Sequence, residues 1–144
     1  MTRIPRTSLP DGFFHVTARG AARGAIFCDD LDYERFRGQL LQVEERYEWT
    51  IHAYCLMPNH YHLILEATQR LLSEGMHRLM GLYAQRFNER YNRSGHVFQG
   101  RFDSRVIESA EHFDHALAYV HLNPVAARLC ASADDWPWTY VDMS

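Results

Sequence analysis

Two stretches of alternating side chains, Thr50–Met57 and His60–Glu66, are separated only by Pro58 and Asn59. In the first, Ile51, Ala53 and Cys55 alternate with His52, Tyr54 and Leu56, the period-2 pattern of a strand. So short a connection leaves the two strands little choice but to pair as an antiparallel hairpin. Everything else in the chain must arrange itself around that hairpin.

Helical stripes flank it. Asp29–Tyr47 places Tyr33, Phe36, Leu40, Val43 and Tyr47 at spacings of three and four, with Asp29, Asp30 and Asp32 near the end where the helix dipole favours anions. Leu72–Tyr91 carries a second stripe of Leu72, Met76, Leu79, Met80, Tyr83, Phe87 and Tyr91, broken by Asn92-Arg93-Ser94-Gly95. Phe13–Ala18 alternates as a strand ahead of the first helix. His96–Gln99 and Ser104–Ile107 are short strand-like pieces around Gly100-Arg101-Phe102. A last helix is predicted from Ala110 to about Leu122, ended by Pro124, because a residue before proline avoids the helical region. The succession of the first six elements is β-α-β-β-α-β, that of the α+β ferredoxin-like fold. It predicts a four-stranded antiparallel sheet with two helices on one face and the last helix at a sheet edge or on the other face. No repeat or linker divides residues 1–144, so one domain is expected. Residues 1–12 would form an extended arm, and residues 125–144, with Trp136, Trp138 and Tyr140, a tail packing back onto the core.

Composition narrows the class. Hydrophobic residues make up 47% and charged residues 23% of the 144, which excludes disordered and collagen-like chains. The three cysteines, Cys28, Cys55 and Cys130, show no metal-type spacing and read as reduced, buried thiols of a cytoplasmic protein. The amino-terminal sequence has no apolar run of signal-peptide type, and no stretch is long enough to span a membrane. The 15 basic residues are all arginine, against 18 acids, a net charge of −3 that argues against a general nucleic-acid binder. Codon usage in a GC-rich genome accounts for an all-arginine set, although arginine also suits phosphate, whose oxygens its planar fork binds in pairs. The charge is segregated. Residues 78–105 hold six arginines against Glu89 and Asp103, a balance of +4, and residues 1–26 hold four against one acid, +3. Residues 29–48 are at −4. The positive segments are interleaved with Phe13, Phe14, Tyr83, Phe87, Tyr91, Phe98 and Phe102, the mixture of arginine and aromatic that single-strand binding uses.

Two constellations carry chemistry. His60 and His62 stand at i and i+2 of a strand and so face one way, about 7 Å apart along it, close enough to share a metal ion. Spacing leaves the third ligand open among His15, His52, His112, His115, His121, Glu66 and Asn123. A third imidazole would suit zinc, and an oxygen would suit magnesium or manganese. Tyr119 and Asn123 stand at i and i+4 of the last helix and share a face beside the Phe113, Ala116, Leu117, Val120 stripe. A phenol there could be a nucleophile if a metal polarised its target.

Tyr54-Cys55-Leu56-Met57-Pro58-Asn59-His60-Tyr61-His62-Leu63 resembles the HUH motif of single-tyrosine transposases, above all the REP-associated tyrosine transposases. Phe14-His15-Val16-Thr17-Ala18-Arg19-Gly20 with Arg23, Gly95-His96-Val97-Phe98-Gln99-Gly100-Arg101-Phe102, Tyr119-Val120-His121-Leu122-Asn123-Pro124-Val125 and Trp136-Pro137-Trp138-Thr139-Tyr140 continue the likeness over about residues 13–140. The resemblance implies a metal-dependent endonuclease and strand transferase acting on hairpin-forming single-stranded DNA. Tyr119 would be the nucleophile of a 5′-phosphotyrosine intermediate. His60, His62 and Asn123 would bind Mg2+ or Mn2+, and Arg19, Arg23, Arg86, Arg93 and Arg101 would contact DNA. Whether the chain acts alone or as a homodimer stays open. The family often follows Asn-Pro-Val with arginine, alanine and glycine, where this chain has Ala126, Ala127 and Arg128. That departure motivates one alternative, a catalytically impaired hairpin-binding protein of the same fold. A zinc hydrolase using three imidazoles is another.

Overall fold

A computed structural model describes residues 12–142, so the predicted amino-terminal arm, Gly12 excepted, lies outside the described residues. The elements follow in the order β1 (Phe13–Arg19), α1 (Asp30–Arg46), β2 (Thr50–Met57), β3 (His60–Glu66), α2 (Gln69–Tyr91), β4 (Asp103–Val106), α3 (Ala110–Ala126) and β5 (Thr139–Val141). Each helix opens on a side-chain cap: Asp29 accepts from Asp32 N–H, Thr68 from Leu71 N–H and Ser109 from His112 N–H. Thr68 as a cap is why α2 begins three residues before its apolar stripe.

The sheet is antiparallel in the order β4-β1-β3-β2-β5. Its first four strands and two intervening helices make the expected β-α-β-β-α-β succession. The expected count of four strands is corrected to five. Thr139–Val141 from the tail pairs with the free edge of β2, Tyr54 opposite Tyr140, and Leu56 N–H donates to the carbonyl of Trp138 at 2.9 Å. Of the two strand-like pieces near Arg101, only the second is a strand; the first contributes one bridge, Gly20 to Phe98.

Alternation along the strands sorts two cores. Phe14, Val16, Leu56, Tyr61, Leu63 and Leu65 point to α1 and α2, whose Phe36, Leu40, Leu72, Met76 and Leu79 cover them. At Gly75 the helix α2 lies against Trp49, whose indole would collide with any added Cβ and whose Nε1–H donates to Leu71 O at 3.0 Å. The other face offers Phe13, Ala53, Cys55, Met57 and Ile64 to the Phe113, Ala116, Leu117 and Val120 stripe of α3. The last helix therefore docks on the opposite face, not at an edge. It also runs past Pro124 to Ala126. Pro124 sits one turn from the end, where it removes a single i to i−4 bond, and the turn closes regardless through Ala127 N–H to Asn123 O and Leu129 N–H to Pro124 O, both 2.9 Å.

The segment after α3 lies against the sheet. Trp138 is buried and stacks on Tyr33 at 4.9 Å and 4°, and Trp136 Nε1–H donates to Leu56 O at 2.9 Å. All three cysteines are free, yet only Cys55 is buried. Cys28 is exposed in the segment leading into α1 and Cys130 half-buried after α3, where no sheet face covers them. Among the described residues no helix is long and apolar enough to cross a membrane.

Candidate active site

The hairpin turn is pinned from outside. Gly20 N–H donates to Asn59 O at 2.8 Å, and the Ile26 and Phe27 N–H groups donate to Pro58 O at 2.8 and 3.2 Å. A Cβ at Gly20 would run into the Gly24 carbonyl, so this crossing requires glycine. Asn59 then works from both ends of its amide: Nδ2 donates to Arg23 O at 3.4 Å, and Oδ1 accepts from His60 Nδ1–H at 2.8 Å. That bond leaves His60 Nε2 with its lone pair.

The period of β3 places His60 and His62 on the α3 face, their rings 5.1 Å apart and 84° to each other. His62 is only 4% exposed. Its Nδ1 lies 3.1 Å from His15 Nε2 and 3.3 Å from Thr17 Oγ1, and its Nε2 lies 3.4 Å from the Asn123 side-chain Nδ2. Burial, then the neighbouring His15, His60 and Arg19, depress the His62 pKa to about 3. Burial followed by Arg19 lowers that of His60, and burial followed by Arg105 and His112 lowers that of His15. The three imidazoles are therefore neutral near pH 7, the form in which a ring nitrogen can ligate.

Helix α3 brings the second constellation over the first. Tyr119, 56% exposed, presents its ring edge-on to His62 at 5.4 Å and 86° and to His15 at 6.1 Å and 61°. Asn123, one turn on, reaches His62 itself. Tyr61, the other tyrosine of the motif, points the opposite way. It is fully buried against Phe36 at 4.6 Å, and burial pushes its phenol pKa far above the usual range. It cannot reach the same target as Tyr119.

A cleft of about 640 Å³ opens at His62 and Tyr119 and runs between β1, β4 and the first half of α3. Arg19 and Arg101, two of the five predicted DNA contacts, line it. Arg23, Arg86 and Arg93 do not. Arg23 is exposed on the loop tied to Asn59, Arg86 is exposed on α2, and Arg93 lies over the Phe87 ring at 5.7 Å. The cleft also holds Gln99, Arg105, His112 and His115, which sequence reasoning did not single out as DNA contacts. Arg105 could have been found from pairing: it sits opposite His15 in the β1–β4 register.

Two further expectations are corrected. The aromatics of the positive segments do not form a stacking surface, because Phe13, Phe14, Tyr83, Phe87 and Phe98 are all buried and Tyr91 and Phe102 pack against that core. Burying a ring gains more than leaving it in water, so aromatics between basic residues went inward. Nor is the +4 segment wholly available to a ligand: Arg90 is held by Asp29 at 2.5 Å and Asp32 at 2.6 Å. Of the imidazoles considered as third ligand, His15 meets His62 at Nδ1, the ring nitrogen opposite the one that faces Asn123. His52 is instead stacked on Phe13 at 5.3 Å with Glu66 3.7 Å away.

The chain belongs to the IS200-like transposase family, whose sequence profile matches residues 10–123. A Haemophilus influenzae protein described as a REP-associated tyrosine transposase is 26% identical over 121 residues, spanning 75% of this chain and 68% of that protein. Among solved structures, a REP-associated tyrosine transposase bound to a REP hairpin superposes with a TM-score of 0.69 at 19% identity, covering 96% of this chain and 82% of the other. A structure described as a transposase from Deinococcus radiodurans gives a TM-score of 0.57 at 17% identity, covering 83% and 95%.

Proposed function

We propose that this transposase cuts and rejoins hairpin-forming single-stranded DNA through a covalent link to Tyr119. The observation that carries the reading is the exposed Tyr119 ring set 5.4 Å from His62, at the mouth of an arginine-lined cleft. The bound hairpin of the structural relative supports the same substrate class.

His60 Nε2, His62 Nε2 and the Asn123 amide would hold a divalent ion. The donor chemistry fits: two neutral imidazoles, and an amide whose oxygen and nitrogen exchange places on a half-turn, bringing Oδ1 to where Nδ2 now stands. Two nitrogens and one oxygen leave positions open for phosphate oxygens, as Mg2+ or Mn2+ chemistry requires. When bound, such an ion polarises the scissile phosphate. The chain does the rest. Arg19 and Arg101 hold flanking phosphates by charge-assisted hydrogen bonds. Tyr119 Oη attacks phosphorus and loses its proton to solvent in the open cleft, the P–O3′ bond breaks, and the departing 3′-oxygen takes a proton from solvent to leave as a hydroxyl. The DNA 5′-phosphate is then esterified to Tyr119. Attack by a 3′-hydroxyl of the same or another strand reverses the step and frees the phenol.

The test mixes wild-type and Tyr119→Phe protein with labelled hairpin DNA and Mn2+ and reads the adduct on a denaturing gel. An adduct in wild type alone is expected. Equal adduct in both removes Tyr119 as nucleophile. Tight hairpin binding without cleavage under any divalent ion would favour a binding protein of the same fold.

A further inference from the structure

We infer that His15 is a positioning residue: its Nε2 accepts the Nδ1–H of His62 and so keeps the His62 Nε2 lone pair turned toward Asn123. The inference deepens the metal-binding reading above and rests on it.

A neutral imidazole carries one proton, and which nitrogen holds it is decided by the partner of each. On His62 the two nitrogens face different surroundings. Nε2 looks to the Asn123 amide at 3.4 Å, and Nδ1 looks to β1. With the Asn123 NH2 group as placed, Nε2 accepts and the proton belongs on Nδ1; a cation at Nε2 makes the same demand whichever way the amide is turned. A buried Nδ1–H needs an acceptor in turn.

The sheet supplies it. Thr17 is directly opposite His62 in the β1–β3 register and His15 is two residues away on the same face, diagonal to it. Their side chains come within 3.3 and 3.1 Å of Nδ1. Thr17 Oγ1 can accept or donate by rotating its hydroxyl, so it supports either tautomer of His62. His15 Nε2 accepts the Nδ1–H of His62 when its own proton sits on Nδ1, which is the His15 tautomer that this role requires. The diagonal pair also bears on the tilt of the His62 ring, because the two rings lie 5.2 Å apart at 44° on adjacent paired strands. The strand pair therefore selects the tautomer and aims the ring, the usual work of the group behind a metal-bound histidine.

Two measurements test this. The first is Mn2+ affinity, followed by the paramagnetic resonance of free Mn2+, for wild type, His15→Phe, His15→Gln and His62→Ala. Phenylalanine keeps the ring and its packing but accepts no hydrogen bond; glutamine restores an acceptor oxygen. His15→Phe is expected to bind Mn2+ about 10- to 100-fold more weakly, the usual effect of losing such a partner, and His15→Gln to recover most of the loss. The second is long-range nitrogen–proton NMR of the metal-free wild type, which should find the His62 proton on Nδ1. Wild-type affinity in His15→Phe, or a His62 proton on Nε2, overturns the inference. If wild type binds Mn2+ and His62→Ala does not, while His15→Phe matches wild type, the metal-binding reading stands and the role of His15 alone falls. If wild type binds no better than His62→Ala, both fall.

Discussion

His62 Nε2 and the Asn123 side-chain amide stand 3.4 Å apart although 61 residues separate them in the chain. The contact ties the centre of the sheet to the last turn of α3 and sets Tyr119 one turn away on the same helix face. It predicts that Asn123→Ala lowers Mn2+ affinity on the order of tenfold or more and slows covalent adduct formation in step. Asn123→Gln keeps an amide oxygen and should retain the larger part of both. Calorimetric titration of the two variants checks this. Wild-type affinity in Asn123→Ala would remove that residue from the ligand set.

Arg101 lines the cleft and Arg86 does not, although both belong to the same positive segment. Arg101→Ala should weaken hairpin binding and reduce the slope of log affinity against log salt by about 1, the effect of one lost phosphate contact. Arg86→Ala should leave affinity and slope unchanged. Filter binding across a salt series separates the two. Equal effects would mean that DNA covers α2 as well as the cleft.

What could be read from the chain was what local periodicity encodes. Period 2 placed His60 and His62 on one face, and the i,i+4 spacing put Tyr119 beside Asn123; both hold because neither depends on a distant partner. Where pairing is nonlocal, the reading stopped short. Thr139–Val141 is too brief to show alternation and becomes a strand only because the edge of β2 is free. His15, His112, His115 and Arg105 meet only once β4 pairs with β1 and α3 crosses the sheet. Charge sums misled in a different way. They count Arg90 with Arg101, while Arg90 is spent on Asp29 and Asp32.

That ion pair has a pH signature. Arg90 joins the end of α2 to the start of α1, and its hydrogen bond to Asp29 lowers the carboxyl pKa from 3.8 to about 2. Between those values the unfolded chain binds more protons than the folded one, so stability falls as pH falls. The contribution is complete above about pH 4 and is lost on acidification toward pH 2. Urea midpoints should therefore drop over that window in wild type, and Arg90→Gln should flatten the drop. Both groups are partly exposed, so 1 M salt should shrink the effect. An unchanged pH profile in Arg90→Gln would show that other carboxylates carry it.

Arg128 ends α3 in the left-handed region, at φ 61°. The conformation is imposed by the turn beneath it, where Arg128 N–H donates to Val125 O and Leu129 N–H to Pro124 O, both at 2.9 Å. A side chain in that region costs roughly 1–2 kcal/mol that glycine does not incur, and glycine gives part of the gain back because it is freer in the unfolded chain. Arg128→Gly should therefore stabilise the protein by about 0.5–1 kcal/mol, raising the urea midpoint without changing the slope of the transition. Arg128→Ala is the control. It removes the same guanidinium but keeps the Cβ, so it should bring no gain. Equal stabilisation by both variants would trace the effect to the lost charge at the helix end instead of the backbone.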